Sequence, residues 1–279
     1  MILPGSSALP LLLVAPLWST VIGRQLIEFY HRAGVVKSNY RGKMVSAALG
    51  PALLLGYLPG AAAVLWIDPA AAPPFSILFL WIGFAFLGLW DDLITEKTSG
   101  FKGHFGAARQ GKLTAGFLKV ITAVLVGLLF AGSLPFSPGH RLLALLLLLL
   151  SANGLNLFDR RPGRALKIFF PGAALIIFLA RSPDAAAQLL LPLMVGALAI
   201  APLDLEASAM LGDCGANLLG AALGIAAVLY LSPALQAAFL FFWSGVHLFC
   251  EYYSLSRVIE NSSVLRRLDY LGRFRENFT

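Results

Sequence analysis

Nine apolar runs, each near the length of a membrane-crossing helix, occupy most of this chain: residues 7–23, 45–67, 75–90, 114–132, 141–157, 168–180, 186–203, 216–231 and 235–255. A helix needs about 20 apolar residues to cross the hydrocarbon core. Several runs are shorter than that, so a tenth helix is compatible with the pattern. The expected fold is all-α, a polytopic bundle of nine or ten transmembrane helices. Composition agrees: 58% of the residues are hydrophobic and 13% charged, against about 25% charged in soluble domains. Residues 1–279 therefore read as a single integral membrane domain, with 257–279 as a basic tail. The first run has no basic segment ahead of it. Its Leu17-Trp18-Ser19-Thr20 stretch makes a poor cleavage site, so a retained helix is expected. Cys214 and Cys250 are too few for a disulfide framework and lack metal-site spacing.

The charges orient the bundle. Arg24, Arg32, Lys37, Arg41 and Lys43 fall in segment 24–44, and Lys97, Lys102, Arg109 and Lys112 in 91–113. Arg160, Arg161, Arg164 and Lys167 follow in 158–167, and Arg257, Arg266, Arg267, Arg273 and Arg275 in the tail. Lys119 stands near the start of its run, and only Arg141 and Arg181 fall on the alternate loops. Basic residues accumulate on the cytoplasmic side, which puts the N-terminus outside and the C-terminus in the cytosol. The same bias accounts for much of the net charge of +7, so nucleic acid is not an expected partner. The lipid bilayer is. Loop 204–215 breaks the pattern: it lacks Lys and Arg and carries Asp204, Glu206 and Asp213. The tail, with Val258, Leu265, Leu268 and Leu271, reads either as a short amphipathic surface helix or as a plain basic topology signal.

Acids at the edges of these runs are the functional signal. A carboxylate near hydrocarbon is costly, up to roughly 2.5–3.5 kcal/mol at the bilayer centre, yet Asp91, Asp92, Asp159 and Asp213 all fall on one side. Adjacent carboxylates at 91 and 92 point in different directions on a helix, so one can ligate a metal while the other meets a second group. Mg²⁺ takes hard oxygen ligands of this kind; a solvated helix end of mixed charge is the plain alternative. Asn153, Asn156 and Asp159, at i, i+3 and i+6, share one helical face. Amides can read a base or sugar edge, and the arginines that follow suit phosphates; interhelical hydrogen bonding is the plain reading. Gly212-Asp213-Cys214-Gly215 opens a helix, where glycines allow close backbone approach and the N-terminus favours an anion. Lys37 to Lys43 is a basic loop ahead of the second span. His31, His104, His140 and His247 are scattered and make no ligand set.

In their order, Asp91-Asp92, then Asn153-x-x-Asn156-x-x-Asp159, then Gly212-Asp213-x-Gly215 resemble the motifs of the polyprenyl-phosphate N-acetylhexosamine-1-phosphate transferases. These include the bacterial phospho-N-acetylmuramoyl-pentapeptide transferase. The resemblance runs from about Lys37 to Asn217. It implies some ten helices, Mg²⁺, and transfer of a sugar 1-phosphate from a UDP-sugar to undecaprenyl phosphate with release of UMP, at the cytosolic face of the bacterial inner membrane. It implies catalytic roles for Asp91, Asp92 and Asp213, with Asp213 and Asp92 as metal ligands. Asn153, Asn156, Asp159, Arg160, Arg164, Lys43 and Lys102 become the substrate-binding set, and a homodimer is left open. The chain departs from the family at Arg160-Arg161-Pro162-Gly163, where many members have a uracil-holding turn. It also has Ala216 after the glycine that follows the metal aspartate. Arg266-Arg267-Leu268-Asp269 replaces a histidine-rich loop. These departures favour a simpler UDP-hexosamine over a muramoyl-pentapeptide donor. Two other classes stay open: an ion-coupled transporter, disfavoured by the absence of a repeat and by acids at one face, and an inactive paralogue with a scaffold role.

Overall fold

A computed structural model describes residues 9–68, 74–94, 109 and 114–273. Within these the chain forms eleven helices and one small hairpin. The helices are α1 (Leu9–Arg32), α2 (Gly50–Ile67), α3 (Phe75–Leu93), α4 (Ala115–Ser133), α5 (Pro138–Phe158), α6 (Arg164–Leu179), α7 (Pro183–Leu205), α8 (Gly212–Tyr230), α9 (Pro233–Tyr252), α10 (Leu255–Asn261) and α11 (Ser263–Tyr270). Seven of them, α2 to α5 and α7 to α9, are long and apolar enough to cross a membrane. Helix α6, at 16 residues, rises only about 24 Å, short of a bilayer core of about 30 Å. The all-α expectation holds, and nine long helices coincide with the nine apolar runs.

The boundaries differ from the hydropathy limits where capping decides. Helix α5 starts at Pro138, not 141, because the Ser137 hydroxyl accepts the His140 N–H and proline fits the first helical turn. Ser232 and Pro233 start α9 in the same way. Segment 24–44 is not a plain loop. Helix α1 continues through Arg32, and the remainder forms an antiparallel hairpin of β1 (Val36–Ser38) and β2 (Met44–Ser46), with Lys37 opposite Val45. Asn39 makes the turn: its side-chain oxygen accepts the Arg41 and Lys43 N–H groups, and Gly42 takes a φ of +76°. The strand is also pinned to the chain ahead of α8, since Met210 N–H donates to Ser46 O and Leu49 N–H to Met210 O.

Helix α8 is the axis of the bundle. It packs against α2, α3, α5, α6, α7 and α9, and nearly all of it from Gly212 to Val228 is buried. Membrane helices gain little from hydrophobicity between themselves, so small residues that permit close approach matter most. Gly215 faces Gly50 of α2, while Gly220 and Gly224 face Ser151 and its neighbours on α5. Gly88 of α3 lies against the Asp213–Cys214 backbone, with no room for a β-carbon. That approach brings the end of α3 to the start of α8.

Candidate active site

The ends of α3, α5 and α7 and the starts of α4, α6 and α8 meet at one end of the bundle. Thr114 caps α4 through the Phe117 N–H, so the helix begins just ahead of Lys119. The Lys119 ammonium lies 3.0 Å from Asp91 Oδ2 and 2.6 Å from Asp213 Oδ2. One cation thus bridges two carboxylates from two other helices. Asn156 donates towards Asp213 as well. Asp92 faces inward. Its Oδ2 accepts the Cys214 N–H at 3.0 Å and its Oδ1 the Lys37 ammonium at 3.3 Å. Gly212, at φ +75°, passes so close that a β-carbon would sit 2.6 Å from Asp92 Oδ2. The glycine before Asp213 is therefore required by both backbone conformation and space.

Asp159 ends α5 as its C-cap, against the Gly212 amide. Burial, reinforced by the Asp204, Asp213 and Asp92 charges, pushes its carboxyl well above the usual carboxylate range. Asp204, in the last turn of α7, is itself buried. Five carboxylates therefore gather where α3, α5, α7 and α8 meet.

Two of the expected residues, Asn153 and Arg164, are engaged elsewhere, and Arg160 and Lys43 are exposed. Asn153 hydrogen bonds His247 of α9 at 2.9 Å and is turned from the carboxylates. Arg160 is exposed near Cys250. Arg161 pairs with Glu260 at 3.0 Å and lies over the Tyr40 ring. Arg164 is buried: its guanidinium grips both Asp269 oxygens, at 2.9 and 3.0 Å, and donates to Ser256. Arg273 joins the same carboxylate at 2.9 Å and donates to Pro162 O, and Lys167 donates to Asp269 O. Through Arg273 the tail is thus tied down on the turn between α5 and α6, while Val258, Leu265 and Leu268 on its helices α10 and α11, and Leu271 just after them, stay exposed. Burial raises the Asp269 pKa, but the Arg164 hydrogen bonds and the Arg273 and Lys167 charges outweigh it and hold the carboxyl below its usual range. Lys43 is exposed on the hairpin, and Lys102 lies outside the described residues.

The basic partners of the acids, Lys119 and Lys37, went unselected in the sequence. Lys119 had a signal: an ammonium one turn inside an apolar helix is costly unless paired. Lys37 stands in the sequence only as the start of a basic loop, because the strand alternation that turns it towards Asp92 is invisible in a segment this short.

No family model matches the chain. Over 190 aligned residues it is 32% identical to the phospho-N-acetylmuramoyl-pentapeptide-transferase of Borrelia garinii subsp. bavariensis, covering 57% of this chain and 54% of the relative. The chain spans about half the length of the curated relative it matches.

Among the described residues no three His, Cys, Asp or Glu side chains form a ready-made metal cage. The donor set nevertheless fits Mg²⁺, which keeps several waters and takes only one or two protein carboxylates. Asp91 and Asp213 already converge on one cation, the Lys119 ammonium. Asp92, by contrast, spends both oxygens on protein donors.

Proposed function

We propose that the protein transfers a sugar 1-phosphate, of the N-acetylhexosamine type, from a UDP-sugar to undecaprenyl phosphate and releases UMP, in bacterial envelope glycan synthesis. The observation that carries this reading is the Lys119 bridge between Asp91 and Asp213 at one end of a membrane bundle, with Asp92 and Lys37 beside it. A lipid-borne phosphate and a water-borne nucleotide can meet only at such an end. A carrier, in contrast, keeps its ionisable groups near the midplane.

In the reaction an oxygen of the lipid phosphate attacks the sugar-bearing phosphorus of the donor. The bond from that phosphorus to the bridging oxygen breaks, and UMP leaves with the electron pair. Bound Mg²⁺, held by Asp213, would offset the negative charge of the pyrophosphate. Lys119, released from one carboxylate, faces the phosphates and opposes their mutual repulsion. Asp91 is the half-exposed acid and accepts the proton of the lipid phosphate where one is present. Asp92 anchors the Cys214 amide and Lys37, fixing the start of α8. Asn156 and Asp159 take the nucleotide side, and exposed Arg160 is the arginine left to meet a phosphate.

The test is a panel of UDP-sugars, UDP-N-acetylhexosamines and the muramoyl-pentapeptide donor among them, given to purified protein with undecaprenyl phosphate and Mg²⁺. Mass analysis of the lipid should reveal one sugar-diphosphate product. No product from any donor, with intact folded protein, would leave the transporter and scaffold readings. Cytosolic placement of this face is tested by labelling single cysteines from either side; outside labelling at position 103 contradicts it.

A further inference from the structure

Asp204 is used by no step above, yet it is a buried carboxylate whose two oxygens accept from two different turns. Oδ2 takes the Gly163 N–H at 2.7 Å, and Oδ1 the Leu211 N–H at 3.3 Å. Gly163 ends the turn that begins at Asp159, and Leu211 stands two residues before Asp213. Both turns need left-handed glycine, Gly163 at φ +71° and Gly212 at φ +75°, so neither is held by helical hydrogen bonding at that point. Each N–H belongs to a helix start, where backbone donors have no intrahelical partner. A carboxylate is the side chain that can accept on both oxygens at once; an amide of the same shape accepts on one and presents a donor with the other.

We infer that Asp204 is a positioning residue: it clamps the turn after Asp159 to the turn before Asp213 and so sets the spacing between the nucleotide side and the metal side of the site. The clamp is braced from outside, because the Arg273 guanidinium holds Pro162 O, one residue before Gly163. Loop 204–215 carries no Lys or Arg, and the charges opposing Asp204 come from Arg273 and Lys167. This inference rests on the proposed transferase reading for its catalytic consequence, but its geometry does not.

The experiment is hydrogen–deuterium exchange on the full chain in lipid nanodiscs, wild type against Asp204→Asn, with kcat measured per folded molecule. In the wild type the Gly163 and Leu211 amides should exchange more slowly than that of Arg161. Asp204→Asn should speed exchange in both turns together, at least about tenfold, as expected for a lost buried hydrogen bond. It should also lower kcat about 10²-fold, the scale of a small misplacement. A residue that only fills space gives fewer folded molecules, each with wild-type kcat. Faster exchange confined to one turn, wild-type kcat in the folded fraction, or unprotected Gly163 and Leu211 amides in the wild type would each overturn the clamp. If the variant does not fold, the wild-type amide pattern alone decides. Absence of turnover in the wild type sinks the transferase reading and leaves the exchange data to judge the clamp.

Discussion

Two charge clusters lie at the same end of the bundle, and they are built in opposite senses. In one, Lys119 serves two acids, Asp91 and Asp213, and the three side chains are 18%, 37% and 27% exposed. In the other, Asp269 serves Arg164, Arg273 and Lys167, and the Arg164–Asp269 pair is 4% and 6% exposed. The first is open with acid in excess, so it can take up a further cation and the phosphates that travel with it. The second is closed, and its further donors reach Pro162 O, Ser256 and the Asp269 carbonyl. An arginine beside a candidate site is therefore not a phosphate ligand by position alone. Exposure and the count of donors against acceptors separate the two kinds.

The largest expected effect lies in the open cluster. Asp213→Ala should lower UMP release by at least about 10³-fold, with folded yield in detergent near normal, because a partly exposed acid at a helix mouth carries little packing. Loss of yield alongside activity would make it structural, and the contrast would fail.

Next comes Arg164→Ala, which leaves Asp269 buried without its bidentate partner and should cost roughly 3–5 kcal/mol of stability. The readout is the thermal unfolding midpoint in detergent, and the surviving folded molecules should keep donor KM. Replacing both partners, Arg164→Met with Asp269→Leu, should recover only part of that loss: a buried pair can be exchanged for apolar groups at little cost, but the buried Arg273 guanidinium then loses its carboxylate. A donor KM that rises in Arg164→Ala without loss of stability would move Arg164 back into the site.

A smaller effect is expected at Asp91→Asn, about 10²-fold in rate. Arg160→Ala should weaken donor binding in a salt-sensitive way, because an exposed phosphate contact is partly Coulombic.

The smallest concerns pH. Asp269 has a depressed pKa when folded, so its contribution is present in full above the unfolded carboxylate value of about 3.9 and is lost as pH falls through the folded value. Limited proteolysis should find the tail protected at pH 5 to 8 and released only in stronger acid. Release already near pH 6 would show that Asp269 does not hold it.

How legible this was depends on the interaction range involved. Helix number followed from hydropathy, because a bilayer imposes a fixed length on each run. The convergence of Asp91, Asp92, Asp159 and Asp213 followed from up-and-down threading, which sends alternate helix ends to one face. Spacing could not tell Asn153 from Asn156. Both lie on one side of α5, but α9 approaches Asn153 with His247, whereas α8 approaches Asn156 with Asp213. Arg164 was equally opaque, since its partner lies 105 residues away in the tail. In the sequence Asp204 stands out only as an acid in a loop without Lys or Arg. Its two acceptor bonds depend on the backbone of Gly163 and Leu211, which no side-chain pattern encodes.

The most direct test measures UMP release by three purified proteins, with Mg²⁺ and with chelator: wild type, Asp213→Asn, and the Arg164→Met/Asp269→Leu double variant. The wild type should turn over only with Mg²⁺, Asp213→Asn should be nearly silent although folded, and the double variant should work at close to the wild-type rate. A wild type indifferent to chelation, or a folded double variant as silent as Asp213→Asn, would contradict the division between an open reactive cluster and a closed structural one.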